Sequence, residues 1–528
     1  MLLPTLKLSL SKFIIILLVV AIALGIGFRF LAIDRKLYWH DEVYTSMRAA
    51  GFTRQQIDQD LFNNQLIAAT ELQKYQQLKP NSTIADTINS LKIEDPQHPP
   101  LYFLMARQWL TWFGSSIMAS RLLPAILSLL SLPLIYGLAI ELFRDDVNAS
   151  GIGIFATAFL ALSPFDILFA QTARQYSLLT VGIIGTSYFL LRALRLKTSN
   201  SWIPYTLGVV LSLYTHPFFG LNLIGHGVFI LISQRQQLQK FTLSVGVAIA
   251  LYLPWLIVLV TNFARTTATT NWANIPVGFD FLLKLWTLSF TSLFFDLDFG
   301  FNNPLTYILR LPIVVLIGLS LYFIYRQSSA KWFILTSIFV PFLLLLLPDL
   351  ILGGKRSAVS RYLISCFPAI QLAMAYLFAR MLNFSTDFKK NLFWRGTLAI
   401  LLTGSIVSNL VSANAETWWS KDLSYFNAQV SDRLNAISHP IVISDIGDDF
   451  TNTGDLISMS YRLNPDVKLL LLSSSNQNTD LILTTDSSKS ADTIYVFRPS
   501  LKLLKSLKLQ DPRDLVFPAG QLWKFNPS

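Results

Sequence analysis

The sequence predicts a polytopic α-helical membrane protein, about 11–13 transmembrane helices, with a small C-terminal α/β extracytoplasmic domain. Three observations predict it. The 528-residue chain is 52% hydrophobic and only 14% charged, with a mean hydropathy of +0.48, too little charge to cover a soluble protein of this length. Apolar runs recur along most of the chain, each near the ~20 residues that cross a ~30 Å hydrocarbon core, and lipid-embedded backbone must satisfy its own hydrogen bonds, which selects helices. Residues 414–528 lose that pattern and alternate short β-type runs with turn residues.

The elements follow in order. Lys7 and Lys12 precede an apolar run from Phe13 to Ile33. It is too long for a signal-peptide core, and Asp34, Arg35 and Lys36 follow without a small-residue cleavage pattern, so it reads as the first transmembrane helix with a cytoplasmic N-terminus. Residues 34–98 are too polar to span and form a first external loop. Within it Asp58 to Leu72, with Leu61, Phe62, Leu66 and Ile67, reads as an amphipathic helix suited to the membrane surface. Apolar runs then follow near 100–114, 121–143, 151–170, 177–194, 202–215, 217–233, 241–261, 305–325, 332–351, 362–382 and 393–412. The first of these is short and reads as partial or surface-lying. In the tail, Pro440–Ser444, Val467–Leu472, Thr493–Phe497 and Leu515–Phe517 read as strands, Gly454–Leu463 as a helix and 473–489 as a loop.

Charge sets the orientation. The formal net charge of +11 sits in clusters at the ends of apolar runs, the pattern of lipid-headgroup contact rather than of a nucleic-acid partner. Placing Arg192/Arg195/Lys197, Arg235/Lys240, Arg326/Lys331 and Lys389/Lys390/Arg395 in the cytoplasm makes His216, the 262–304 and 353–361 loops and the tail external. The single Cys366 rules out an intrachain disulfide.

Five polar patches interrupt the apolar background. Trp39-His40-Asp41-Glu42 puts two carboxylates at the membrane boundary, where they can serve as a base, bind a metal, or simply cap a helix. Asp95-Pro96-Gln97-His98-Pro99-Pro100 rigidifies a helix entry and holds a histidine at the interface. Arg174, within Gln171–Tyr176, is an external arginine that calls for an anionic partner or snorkels, with Tyr176 as an interfacial aromatic. In Tyr214–Gly220 the pair His216-Pro217 breaks a long apolar stretch; such a histidine is as readily structural as a ligand. Gly353–Tyr362 places Lys355, Arg356 and Arg361 in one external loop, against the usual charge bias. Its glycines permit close backbone approach, and arginine can grip phosphate with two hydrogen bonds.

Taken in order, these patches resemble the GT-C superfamily, particularly the bacterial branch near protein O-mannosyltransferases and the lipid A aminoarabinose transferase. The similar stretches are Trp39–Glu42, His98-Pro99-Pro100-Leu101-Tyr102, Arg121-Leu122-Leu123-Pro124, Arg174 with Tyr176, Thr215-His216-Pro217 and Arg361-Tyr362-Leu363. They span roughly residues 10–410, and it is their order and spacing, not any one motif, that carries the resemblance. The resemblance implies a bacterial inner-membrane enzyme that moves a hexose or pentose from a polyprenyl-phosphate donor to a protein, lipid or glycan acceptor, usually with inversion. It also implies an acceptor-side role for Asp41, with Glu42 beside it, carrier-phosphate contacts for His98 and Arg361, and a metal or phosphate contact for His216. One departure is Thr172, where relatives commonly carry an acidic residue; this weakens a mechanism that needs a second carboxylate there, unless Asp166 or Glu42 substitutes, and weakens the case for a divalent metal without deciding it.

The chemistry is coherent on its own terms. Cations stabilise a departing polyprenyl phosphate in a partly dehydrated site, and a carboxylate opposite takes the acceptor's proton. The alternative class is a transporter or flippase of lipid-linked glycans. It predicts ionisable residues in mid-membrane and inverted repeats; here the ionisable residues gather at one membrane face and no repeat is visible.

Overall fold

A computed structural model of the chain describes residues 10–384, 387–473, 493–509 and 511–525. They form two compact units that interleave in sequence. The first lies within 1–33, 91–102 and 121–414, the second within 34–90, 103–120 and 415–528.

The first unit is helical. Among the described residues six stretches are long and apolar enough to cross a membrane: Ile117–Leu142, Tyr176–Leu196, Arg235–Thr261, Pro304–Gln327, Lys331–Leu352 and Phe388–Ser424. A seventh arises if Ala149–Leu162 and Pro164–Ala170, bent by 56°, act as one span. Length alone therefore gives fewer spans than the apolar runs suggest. Lys12–Phe28 and Phe219–Ser233 are shorter apolar helices, and the 202–233 stretch is split at His216-Pro217 into helices of 13 and 15 residues. The 262–304 segment, read as loop, contains a helix at Phe279–Thr291; its 13 residues fall short of a span.

Small residues set the packing of the first helix. Ala21 and Gly25 are buried one turn apart, and a Cβ on Gly25 would lie 2.1 Å from the carbonyl oxygen of Ala161. Helices Lys12–Phe28 and Ala149–Leu162 thus pack backbone to backbone, the close approach that small residues permit in membranes. Arg29 closes the contact. Fully buried, it donates to the carbonyls of Gly25 (2.7 Å), Ala161 (2.5 Å) and Leu160 (3.2 Å) and to Ser128 Oγ (3.0 Å). Arg121, also fully buried, donates to the carbonyl of Ile33 at 3.0 Å. Farther along, Arg310 and Asp296 form a buried pair at 2.7 Å, and Arg310 also holds the Phe295 carbonyl at 2.7 Å.

The second unit carries a five-stranded sheet: β1 Leu66–Ala68, β2 Ile441–Ser444, β3 Lys468–Leu471, β4 Ile494–Phe497 and β5 Leu522–Phe525, in the order β1-β3-β2-β4-β5. Central β2 runs parallel to β3 and β4, with Val442 opposite Leu469 and Tyr495. Edge strands β1 and β5 are antiparallel. All four β2 residues are buried, as a strand covered on both faces requires. Ile441, Ile443, Leu470, Leu472, Ile494 and Val496 supply one face of a core completed by Leu503, Leu507 and Leu509.

The three central strands and the helix, Asn452–Ser460, stand where the sequence predicts them. Two expectations are corrected. The amphipathic helix over Asp58–Leu72 is not continuous: helix Arg54–Leu61 ends at Phe62, Asn64 turns at φ 65°, and Leu66–Ala68 pairs with the sheet. A sheet edge offers its backbone partners, which a membrane surface does not. Leu515–Phe517 is not a strand; only Phe517 bridges, to Leu522, and the chain turns through Pro518–Gly520 into β5. The expected 473–489 loop lies, beyond Ser473, outside the described residues. Helix Leu101–Phe113 belongs mostly to the second unit, where Arg107 donates to the carbonyls of Ser82 (2.7 Å) and Ala49 (3.2 Å).

A Gly25→Val substitution must force the two helices apart or distort them. The expected result is a loss of about 1–3 kcal/mol or more, read as a lower unfolding midpoint in detergent, whereas Gly27→Val, where a Cβ meets nothing within 4 Å, should change little.

Candidate functional site

Four of the predicted site residues converge in the helical unit, each at a helix end. His98 lies in the turn before Leu101: its N–H donates to the Asp95 carbonyl at 2.9 Å, and Trp255 Nε1 holds the Pro96 carbonyl at 3.1 Å. The Gln175 side-chain nitrogen stands 3.1 Å from His98 Nδ1; an amide nitrogen only donates, so Nδ1 accepts. Arg174 occupies the tight turn between Pro164–Ala170 and Tyr176–Leu196, buried, with its guanidinium 5.7 Å from the Tyr176 ring.

His216 fills the break between Ile203–Thr215 and Phe219–Ser233. Its Nδ1 accepts the Phe218 N–H at 3.1 Å, which leaves Nε2 to carry the proton of the neutral ring. That ring lies 6.3 Å from His98, 5.9 Å from Tyr176 and 5.1 Å from Phe218. Burial, reinforced by neighbouring His98 and the charges of Arg174 and Arg361, holds its pKa well below 6.5. The site thus contains a neutral hydrogen-bond donor among cations.

Arg361 and Tyr362 sit on the turn Ser360–Ser365. The Arg361 guanidinium lies 5.5 Å from the Trp272 ring and 5.7 Å from Tyr362. Tyr362 packs edge-on against Phe218 at 4.4 Å, and Lys355 Nζ lies 5.5 Å from the same Trp272 ring. Trp272 and Phe218 are the residues that sequence reasoning did not single out. Phe218 stood inside a chosen patch, and Trp272 is an aromatic in the predicted external 262–304 loop.

Arg356 departs from its neighbours. Its guanidinium pairs with Asp349 at 3.0 Å and with Asn274, while Asp349 also accepts the backbone N–H of Arg356 (3.0 Å) and of Ser357 (2.6 Å). It pins the Gly353–Ser357 turn. Asp166, the stand-in named for the Thr172 position, accepts from Gln371 Nε2 at 2.8 Å and lines a small cavity with Arg29, Ser128, Phe165, Phe169 and Ile364. Among the described residues no three His, Cys, Asp or Glu side chains gather as a metal site.

Asp41 and Glu42 lie in the second unit, in the first turn of helix His40–Ala50. Glu42 is 0% exposed; its Oε2 accepts the Trp39 N–H at 2.9 Å and pairs with Lys421 at 3.2 Å. This is the capping role, with the charge neutralised in place. Asp41 is half-buried and retains access to solvent.

Residues 97–259 match the family described as dolichyl-phosphate-mannose-protein mannosyltransferase. The fold is similar to that of ArnT from Cupriavidus metallidurans bound to undecaprenyl phosphate, at 13% identity and a TM-score of 0.54 over 97% of this chain and 98% of that one. Apo ArnT gives 13% identity and 0.52 over 94% of each chain. The Archaeoglobus fulgidus oligosaccharyltransferase tethered with an acceptor peptide gives 12% identity and 0.50 over 92% of this chain and 69% of that one. No curated protein matches the chain in sequence. The family match is confined to residues 97–259, and the likeness to ArnT and to the oligosaccharyltransferase is one of fold. The chain resembles ArnT in fold and, over residues 97–259, the protein mannosyltransferases in sequence; the matched segment contains His98, Arg174, Tyr176 and His216.

The depressed His216 pKa makes stability depend on pH. Below about 6.5 the unfolded chain binds a proton that the folded site refuses, so stability falls as pH falls from there toward the folded pKa, by at most about 1.4 kcal/mol per pH unit. Thermal midpoints from about pH 7 to pH 5 should show this slope in the wild type and a shallower one in His216→Asn.

Proposed function

We propose that the protein transfers a sugar from a polyprenyl-phosphate-linked donor to a protein, lipid or glycan acceptor on the extracytoplasmic side, with inversion at the anomeric carbon. The observation that carries this reading is the cluster of His98, Arg174, His216 and Arg361 on the aromatic frame of Tyr176, Phe218, Trp272 and Tyr362. Such a cluster suits a phosphate: two guanidiniums supply charge, the His216 Nε2–H supplies a neutral donor, and Lys355 adds a cation beside Trp272. ArnT, the similar structure, is bound to undecaprenyl phosphate.

The step balances simply. The acceptor nucleophile attacks the anomeric carbon, and the bond from that carbon to the phosphate oxygen breaks. Its electron pair stays on the carrier phosphate, where the cations stabilise it. The acceptor's proton passes to Asp41, the carboxylate that retains solvent access; Glu42 is committed to its cap and to Lys421.

Two substitutions test the two roles. Arg361→Ala should weaken undecaprenyl phosphate binding by about tenfold or more, since a hydrogen bond to a charged group contributes about 1.5–3 kcal/mol; unchanged affinity would count against the phosphate assignment. Asp41→Asn still caps a helix yet loses the basic oxygen, so turnover should fall about 10²-fold or more with carrier affinity preserved. Near-wild-type turnover would remove Asp41 as the base.

The sidedness rests on the basic loops. Cysteines introduced into residues 415–440 should react with an impermeant thiol reagent on intact cells, and protection of all of them would reverse the orientation.

A further inference from the structure

Buried polar groups of the C-terminal segment converge on one short stretch, residues 37–42. The Leu37 N–H donates to the Glu416 carbonyl at 2.8 Å. The Tyr38 carbonyl accepts from Ser458 Oγ at 2.5 Å, and its ring packs edge-on against Tyr461 at 5.7 Å. Lys421 Nζ stands 5.5 Å from the Trp39 ring while pairing with Glu42. The His40 N–H donates to Ser424 Oγ at 3.1 Å, and Ser424 in turn donates to Asp455 at 2.8 Å.

Asp455 is the hub of this set. Completely buried, it also accepts from Asn427 Nδ2 at 2.8 Å, pairs with Arg498, and has His40 Nδ1 3.7 Å away. Burial alone would raise its pKa; nearby His40, the charge of Arg498 and the Ser424 hydroxyl outweigh that and hold it below the usual carboxylate range. Gly454 completes the fit, since a Cβ there would lie 2.6 Å from His40 Nδ1 and 2.6 Å from Tyr44 Cε2. Helix Asn452–Ser460 can approach helix His40–Ala50 this closely only because position 454 has no side chain.

We propose that the C-terminal domain is a clamp that fixes the helix start bearing Asp41, with Lys421, Ser424 and Asp455 as positioning residues acting through Glu42 and His40. Ionised groups buried in pairs are costly to displace, so a network anchored on Lys421–Glu42 and Asp455–Arg498 holds its attached backbone to a narrow range of positions. A proton acceptor gains from that, because displacement of a reacting group by about 1 Å can cost 10²-fold in rate. The proposal rests on the reading of Asp41 as the base.

The test uses the purified full-length protein with Ser424→Ala, Gly454→Ala, Lys421→Met and Lys421→Arg. Three quantities are measured for each: kcat for sugar transfer, affinity for undecaprenyl phosphate, and amide hydrogen exchange across residues 37–46. The expected result for the first three variants is faster exchange in that stretch and a fall in kcat of about tenfold or more, with carrier affinity within about twofold of wild type; Lys421→Arg, which keeps the charge, should recover much of the loss. Parallel loss of carrier affinity and kcat would mark a general structural defect and overturn the clamp. So would wild-type exchange in all variants, or faster exchange with wild-type turnover in a protein that Asp41→Asn inactivates. Should Asp41→Asn itself remain active, the base assignment fails, and exchange alone then decides the clamp. If Lys421→Met does not fold, Ser424→Ala and Gly454→Ala carry the same comparison.

Discussion

Lipid offers no hydrogen bonds, so every place where a helix of the first unit stops needs its own partners for backbone and charge. The candidate site is built from such places. His98 lies before Leu101, Arg174 between Ala170 and Tyr176, His216 between Thr215 and Phe219, and Arg361 in the turn before Phe367. Prolines 96, 99, 100 and 217 flank two of these breaks and prevent the helix from running through. The polar side chains therefore occur where the backbone is already non-helical, and the same breaks that would burden a membrane helix supply the groups that can hold an anion. Elsewhere the buried arginines are satisfied internally: Arg29 by carbonyls across two helices, and Arg310 by Asp296 and the Phe295 carbonyl.

Aromatic faces decide how these cations are arranged. Arg174 lies over Tyr176, while Arg361 and Lys355 share Trp272. An aromatic ring attracts a cation without neutralising it. Arg356 shows the other solution a few residues away, where Asp349 meets the charge directly and the side chain becomes part of the turn. Burial holds His216 neutral, and the charges of Arg174 and Arg361 beside it reinforce this.

Much of this was legible in the sequence, because breaks in apolar runs are conspicuous: every patch selected for an odd histidine or external arginine marks a helix end. The central strands were equally legible, being short β-branched or leucine-rich runs between turn residues. What escaped has physical reasons. Trp272 is one aromatic among many, and its place beside Arg361 follows from tertiary packing that no spacing reports. Arg356 and Arg361 look alike in sequence; Asp349, lying inside an apolar run, distinguishes them only once the turn folds back. Leu66–Ala68 kept an amphipathic helical spacing because three residues are too few to show a period of two. The number of crossings was blurred for a similar reason, since hydropathy marks apolar length and not where a helix breaks.

The interleaving of the two units has a consequence for how the chain can fold. β1 is three residues long and antiparallel to β3 in the tail; such a strand has no stability until its neighbour exists. Glu42, completely buried, needs Lys421, hundreds of residues later, and leaving either charge alone in that interior would be strongly unfavourable. The 34–90 segment therefore cannot reach its native arrangement until the last hundred or so residues have been made, although most of the helical unit lies between them in sequence. Contacts of such separation are slow to form. A first loop so dependent on the tail is committed late, which couples completion of the Asp41-bearing helix start to completion of the chain.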